Sequence, residues 1–188
     1  YAVPWPPQGL YSKTPIKAVA DFKGTSMRTY NQSTTRIAEM LGAKPVDVPM
    51  VGVSKALAEG KMDNMITSAL TGVENKVWTD IKNYYESNAW FPKNIVFVNL
   101  KAFSALKPAE QKAVTDAAQE AEKRGWALSQ AAAAASTAEL KAKGMTVERI
   151  PAQFEASLKR MGETFSREWV RSVGNEANSI FVPYYIQR

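Results

Sequence analysis

The chain has 188 residues, 45% of them hydrophobic, and a formal net charge of +6 from 24 basic and 18 acidic side chains. It contains no cysteine and no histidine, which excludes disulfides, thiolate chemistry, histidine-based catalysis and the usual zinc and iron ligand sets. No apolar run reaches membrane-spanning length, and no glycine-rich phosphate loop or Asp-x-Asp calcium loop occurs. The composition therefore favours a non-enzymatic domain without a cofactor or a metal.

Strand and helix signals alternate over the first half of the chain. Residues 1–20 contain four prolines and lack periodicity, which predicts an extended connector. The signals that follow are a turn and short strand at 24–30, a helix from Ser33 to Gly42, a strand at 45–50, a short helix at 54–59, a strand at 62–68, a helix from 71 or 72, and strands at about 84–90 and 94–99. This alternation predicts an α/β architecture with a mixed sheet.

The second half is mainly helical. The pattern from Pro108 to Lys143 predicts one helix of about 54 Å at 1.5 Å per residue, or a helical hairpin broken near Gly125. A short strand at 145–150 precedes a helix that starts at Pro151 and carries an apolar stripe typical of core packing. The last segment, 180–186, is apolar and is expected to dock on the body of the protein or on another subunit.

Two motifs place polar groups at strand ends. Residues 21–28 (DFKGTSMR) put Arg28 at the end of a short strand after a glycine turn, and residues 56–63 read ALAEGKMD. Further signals follow in the same order at 42–46, 92–94, 105–111 and 143–145. Over roughly residues 10–175 this pattern resembles the DctP-type solute-binding proteins of tripartite ATP-independent periplasmic (TRAP) transporters.

The resemblance implies a periplasmic-binding-protein-like lobe and a long lobe-spanning helix. It also implies a periplasmic protein, with its signal peptide removed, that binds a small organic acid and delivers it to a membrane permease. Proteins of this family have two lobes, and roughly the first 40% of their length precedes the part matched here, so a C-terminal fragment or truncated gene product is expected. The implied organisation is a hinge at 1–20, the ligand-binding lobe at 21–98 and 145–175, a strand and long helix returning to the first lobe at 99–144, and a tail at 176–188.

The resemblance also implies that Arg28 clamps the carboxylate of the solute. Its planar guanidinium matches a carboxylate at two points and stays charged in a closed cleft. The family commonly has an acid and an asparagine in place of Ile66 and Thr67, so the hydroxyls of Thr67 and Ser68 are expected to bind the solute here. The alternative for both hydroxyls is ordinary capping of the next helix.

Aromatic and amide side chains complete the predicted site. Trp90 or Phe91 would form a flat wall; because adjacent strand residues face opposite ways, only one can do so, and both could instead be core. Asn94 would hydrogen-bond the solute, and Tyr30 and Asn31 would extend the polar rim, unless Asn31 only forms a turn. We expect Arg28, Thr67 or Ser68, Trp90 and Asn94 to converge on one concave surface suited to a monocarboxylate, favoured as cyclic or aromatic.

Two other classes of protein compete with this interpretation. One is an α/β interaction module without a small-molecule site, in which the long helix and the apolar tail serve oligomerisation, for example as a homodimer. The other is a nucleic-acid binder, which the even spread of basic residues argues against. The position of Arg28 relative to Trp90 distinguishes the first of these from a solute-binding protein.

Overall fold

A computed structural model describes residues 1–186 and has an α/β fold, as predicted. The strands are β1 Ala2–Pro4, β2 Gln8–Ser12, β3 Ser26–Thr29, β4 Lys44–Asp47, β5 Asn64–Ser68, β6 Asn83–Glu86, β7 Lys93–Ile95 and β8 Thr146–Arg149. The helices are α1 Gln32–Leu41, α2 Val53–Ala58, α3 Ala69–Glu74, α4 Leu100–Ser104, α5 Pro108–Ala142, α6 Ala152–Val173 and α7 Asn178–Ile186. In this part of the chain no helix is both long and apolar enough to cross a membrane.

Six strands form a mixed sheet in the order β4-β3-β5-β2-β6-β8. Strand β2 runs antiparallel to both of its neighbours, while β3 is parallel to β4 and β5, and β6 is parallel to β8. The sequence predicted an extended connector where β2 lies. All five β2 residues are buried, including the polar Gln8 and Ser12, so the strand has no solvent-exposed face and shows no hydrophobic alternation that would reveal it.

Hydrophobic clusters cover both faces of the sheet. Tyr11 and Met65 belong to one cluster, which α2 and the end of α5 complete, and Leu10 and Ile66 belong to the other, which α1 and α6 complete. Successive strand residues thus enter opposite clusters, as the pleat requires. The carboxyl ends of β3 and β5 lie side by side in this frame, and that edge carries the candidate site.

Helix α5 is continuous from Pro108 to Ala142, which confirms the prediction of one long helix and excludes the alternative of a hairpin broken near Gly125. A Cβ at Gly125 would lie 2.6 Å from a methyl group of Val3, so the glycine allows β1 to approach the helix closely. The backbone of Ala2 donates to Glu122 Oε1 at 2.9 Å and accepts from Trp126 Nε1 at 3.0 Å. Gly125 is thus a packing position and not a helix end.

Strands β1 and β7 form a separate two-stranded ribbon that is followed by an exposed apolar run. The strands predicted at 84–90 and 94–99 correspond to β6 and β7, and both are shorter than expected. Strand β7 is short because it pairs only with the three residues of β1. Beyond β7 the chain is extended, and Phe97 is 88% exposed. The predicted tail forms α7, in which Phe181 stacks on Trp169 of α6; residues 187 and 188 lie outside the described residues.

Candidate functional site

Arg28 is buried near the carboxyl end of β3, yet its guanidinium is only partly satisfied. The residue is 3% exposed, and its Nε donates to the carbonyl of Val48 at 2.9 Å. Among residues 1–186 it forms no ion pair, and its terminal nitrogens Nη1 and Nη2 donate to no protein atom. Burial lowers the pKa of Arg28, against the opposing effects of Tyr30 and Asp47. Since an unpaired buried charge is costly, this guanidinium is suited to an anion.

Tyr30 links Arg28 to Trp90. The Arg28 guanidinium carbon lies 4.7 Å from the centre of the Tyr30 ring, a cation–π contact. Partial burial raises the pKa of Tyr30, while the Arg28 charge and the nearby Trp90 side chain lower it; the net shift is upward. The phenol is therefore neutral at physiological pH and can donate a hydrogen bond. Asn31 caps α1, its Oδ1 accepting from Thr34 N at 2.8 Å, which agrees with the turn-forming alternative.

Thr67 and Ser68 differ sharply in their surroundings. Ser68 is fully buried, and its Oγ caps α3 by accepting from Thr71 N at 3.2 Å and also accepts from Trp5 Nε1 at 3.1 Å. Its hydroxyl additionally shares a hydrogen bond with Thr71 Oγ1 at 3.1 Å, so its bonding capacity is used within the protein. No hydrogen bond joins the hydroxyl of Thr67 to another residue among 1–186, and it is not one of the fully buried unpaired polar atoms of this part of the chain, which are Ser12 Oγ and Asn64 Oδ1.

Strand register places Thr67 on the same face as Arg28. Met27 lies opposite Asn64 in the parallel pair β3–β5, so Arg28 is level with Met65. Thr67 is two residues beyond Met65 and therefore leaves the same side of the sheet. The unbonded hydroxyl and the half-satisfied guanidinium consequently share one edge of the molecule.

Trp90 lines an open groove of about 470 Å³ together with Tyr30, Asn31 and Ile66. No charged side chain among the described residues lines this groove. Trp90 is half-buried and packs against the cluster that contains Ile66. Tyr30 thus contacts Arg28 and also lines the groove with Trp90. Arg28 and Thr67 do not line the groove: they leave the sheet on the face of Met65, whereas Trp90 packs on the opposite face with Ile66.

Phe91 and Asn94 lie elsewhere. Phe91 is 58% exposed and lines a different groove with Trp5 and Trp126, so the two adjacent aromatics face opposite ways, as expected for extended backbone. Asn94 is exposed on β7, where it pairs with Val3. Neither side chain lines the groove of Trp90.

Two contributors to this region were not predicted from the sequence. The carbonyl of Val48 orients Arg28, and a contact made by a main-chain group cannot be predicted from the pattern of side chains in a sequence. Trp5 contacts Ser68 from the proline-rich start of the chain, where an indole followed by two prolines could have suggested a fixed position. Among residues 1–186 no cluster of three or more potential metal ligands occurs.

A buried, half-satisfied arginine at the edge of an α/β sheet is suited to binding an anionic solute. Residues 8–172 match the family described as bacterial extracellular solute-binding protein, family 7, and the chain belongs to this family. The family confirms the resemblance to TRAP receptors and the predicted localisation outside the cytoplasm. It also confirms that the chain is a receptor component and not an enzyme.

Solved and curated relatives agree with this assignment. DctP7 of Bordetella pertussis, an extracytoplasmic solute receptor binding pyroglutamic acid, is 38% identical with a TM-score of 0.92, over 98% of this chain and 62% of that protein. A marine metagenome TRAP solute-binding protein specific for pyroglutamate is 36% identical with a TM-score of 0.91, over 98% and 61%. A solute-binding protein of Verminephrobacter eiseniae is 28% identical over 89% of this chain and 51% of its own length. The chain therefore spans half to two thirds of these relatives.

Proposed function

We propose that this protein is the solute receptor of a TRAP transporter and that it binds a small cyclic monocarboxylate, with pyroglutamate as the specific candidate. It would deliver this solute to a membrane permease. The observation that carries the proposal is the guanidinium of Arg28, which is buried but has no partner for Nη1 and Nη2 among residues 1–186. A carboxylate is the ligand that matches these two parallel donors.

The charge distribution supports a single carboxylate. Arg28 supplies one buried cation, and the neighbouring groove has no charged lining residue among those described. A second carboxylate would therefore lose its hydration without gaining a partner. The receptors of Bordetella pertussis and of the marine metagenome, which bind pyroglutamate, are the basis for naming this solute.

The remaining polar and aromatic groups suit a lactam ring. Pyroglutamate carries one carboxylate on a five-membered ring with an amide N–H and a carbonyl. The free hydroxyl of Thr67 can hydrogen-bond the amide edge, and Tyr30 and Trp90 can cover the ring. We assign Ser68 a capping role in this site, while direct contacts from Asn31, Phe91 and Asn94 stay predictions.

The same proposal covers the organisation of the chain. Residues 21–98 and 145–175 would form the ligand-binding lobe, 1–20 the hinge, 99–144 the return to the other lobe, and 176–188 the tail. Closure of two lobes would exclude water from Arg28 and strengthen its ion pair with the solute. The homodimer considered from the sequence stays a prediction.

Calorimetric titration of the full-length protein tests the proposal with three compounds. We expect L-pyroglutamate to bind, and 2-pyrrolidinone, which has the lactam but no carboxylate, to bind at least tenfold more weakly because it loses about 1.4 kcal/mol or more of the charge contact. L-Glutamate, with a second carboxylate and an ammonium group, should also bind more weakly. Equal affinity for pyrrolidinone would refute the carboxylate clamp, and no binding of any of the three would refute the proposed solute class.

A further inference from the structure

Trp5 directly follows β1 of the two-stranded ribbon and contacts the sheet edge that carries the candidate site. Its indole Nε1 donates to Ser68 Oγ at 3.1 Å, although the two residues are far apart in sequence. Ser68 ends β5 directly after Thr67, and its Oγ holds the first turn of α3 through Thr71 N. The carbonyl of Ser68 accepts from the buried hydroxyl of Tyr11 at 3.0 Å. The strand end that carries Thr67 is therefore fixed from two sides.

Gln8, three residues after Trp5, fixes the aromatic wall of the same site. It is opposite Ser68 in the β2–β5 pair, and its backbone N–H donates to the carbonyl of Trp90 at 3.1 Å. Its carbonyl accepts from Ala89 N at 3.0 Å. The segment from Trp5 to Gln8 thus holds both the end of β5 and the backbone of Trp90.

The other side of this segment is fastened to α5. Glu122 and Trp126 bind the two backbone groups of Ala2, and Gly125 packs against Val3. Trp126 therefore donates its indole N–H to Ala2, in the segment that contains Trp5, and not to Ser68. The two indoles form a natural pair for comparison.

We infer that Trp5 is a positioning residue for the solute site: through Ser68 its indole N–H sets the position of Thr67 relative to Arg28. This inference rests on the proposed function. It assigns the hydroxyl of Ser68 to the support of the site and that of Thr67 to the solute. Removing the N–H while keeping an aromatic ring should then change solute affinity and not only stability.

The test compares Trp5→Phe with the matched variant Trp126→Phe in the full-length protein. We expect Trp5→Phe to weaken L-pyroglutamate binding about three- to tenfold in calorimetry, and Trp126→Phe to leave affinity within twofold at a similar melting temperature. A double-mutant cycle with Ser68→Ala should be non-additive in binding, because both substitutions remove the same hydrogen bond. Hydrogen exchange is a second measurement that needs no solute. The Thr71 amide, which donates to Ser68 Oγ, should lose protection in Trp5→Phe and not in Trp126→Phe.

The outcomes separate this inference from the proposed function. If Arg28→Lys weakens binding while Trp5→Phe leaves both the affinity and Thr71 protection unchanged, the positioning role is wrong and the proposed function stands. Additive effects of Trp5→Phe and Ser68→Ala on affinity would also overturn it. If the wild-type protein binds no carboxylate, the proposed function fails and this inference fails with it.

Discussion

At the scale of single residues, Arg28 combines burial with free hydrogen-bonding capacity. Charged side chains are rarely buried unless they are paired. Here the protein pairs only Nε, with the carbonyl of Val48, and covers one face of the guanidinium with Tyr30. The remaining edge is oriented in advance, so a carboxylate that binds there does not have to order a flexible side chain.

Replacing Arg28 with lysine should weaken L-pyroglutamate binding at least tenfold, or about 1.4 kcal/mol. Lysine retains the charge but loses the planar two-point fork. Loss of the Nε bond to Val48 should also cost roughly 1.5–3 kcal/mol of folding stability. Calorimetry measures the first effect and thermal unfolding the second.

Arg36→Lys provides the control for this substitution. Arg36 is exposed and pairs with Glu168 at 3.1 Å, and exposed pairs contribute little. We expect both its solute affinity and its melting temperature to match the wild type. An unchanged dissociation constant for Arg28→Lys would mean that the carboxylate clamp lies elsewhere.

The sequence could predict that Arg28 lies near the end of a strand, but it could not distinguish the surroundings of Thr67 from those of Ser68. Arg28 follows a glycine turn in a recognisable motif, and one residue of error in the strand would not change its place near the strand end. The two hydroxyls are adjacent, and their roles depend on which of them caps α3. Ser68 ends the strand and caps the helix, whereas the hydroxyl of Thr67 makes no hydrogen bond to another residue among 1–186.

At the scale of secondary-structure elements, the contact between α5 and β1 depends on Gly125, which has no side chain. A methyl group at Gly125 would lie 2.6 Å from Val3, which is too close for any packed contact. Alanine would improve helix propensity by about 0.8–1.0 kcal/mol, whereas overpacking costs about 1–3 kcal/mol. The steric effect should dominate.

Gly125→Ala should therefore lower the free energy of unfolding by roughly 1 kcal/mol, measured by urea denaturation. Gly162→Ala in α6 is the matched control, because among residues 1–186 no atom outside its own helical backbone lies within 4 Å of the position of its Cβ. That substitution should raise stability by up to about 1 kcal/mol through propensity alone. A gain of the same size in Gly125→Ala would show that β1 does not pack on the helix as described.

Elements with a clear period or clear ends could be predicted, and those defined by tertiary contacts could not. Helix α5 starts at Pro108 and is followed by Gly144, and α6 shows an apolar stripe that packs on the core through Phe154. Strand β2 is buried on both faces and follows three prolines, so its sequence resembles a connector. Its place in the middle of the sheet depends on β5 and β6, which come much later in the chain.

At the scale of the whole molecule, buried tyrosines should make stability sensitive to alkaline pH. Burial is the main cause that raises the pKa of Tyr11 and Tyr84 above the ordinary value. The folded protein therefore holds these protons more tightly than the unfolded chain. Their contribution is fully present below about pH 10, the unfolded value, and is lost as the pH rises through the folded values.

Thermal unfolding between pH 8 and pH 11.5 should show a melting temperature that falls steeply above about pH 10. Each tyrosine contributes up to about 1.4 kcal/mol per pH unit in that range. Tyr11→Phe should reduce the slope, although it lowers stability at pH 8 by removing the hydrogen bond to the carbonyl of Ser68. A slope that is the same in this variant would mean that Tyr11 ionises normally in the folded protein.

The exposed apolar run after β7 should control association of the 188-residue chain. Ile95, Val96, Phe97 and Val98 are 48–88% exposed, and an exposed apolar edge next to a two-stranded ribbon favours pairing with another chain. We expect the chain by itself to form concentration-dependent oligomers in analytical ultracentrifugation at tens of micromolar.

Phe97→Lys should weaken this association about tenfold or more, because burial of a phenylalanine contributes about 1.5–3 kcal/mol. Val51→Lys is the control, since Val51 is 95% exposed but outside the run; a wild-type chain that stays monomeric, or an equal effect of both lysines, would contradict this prediction.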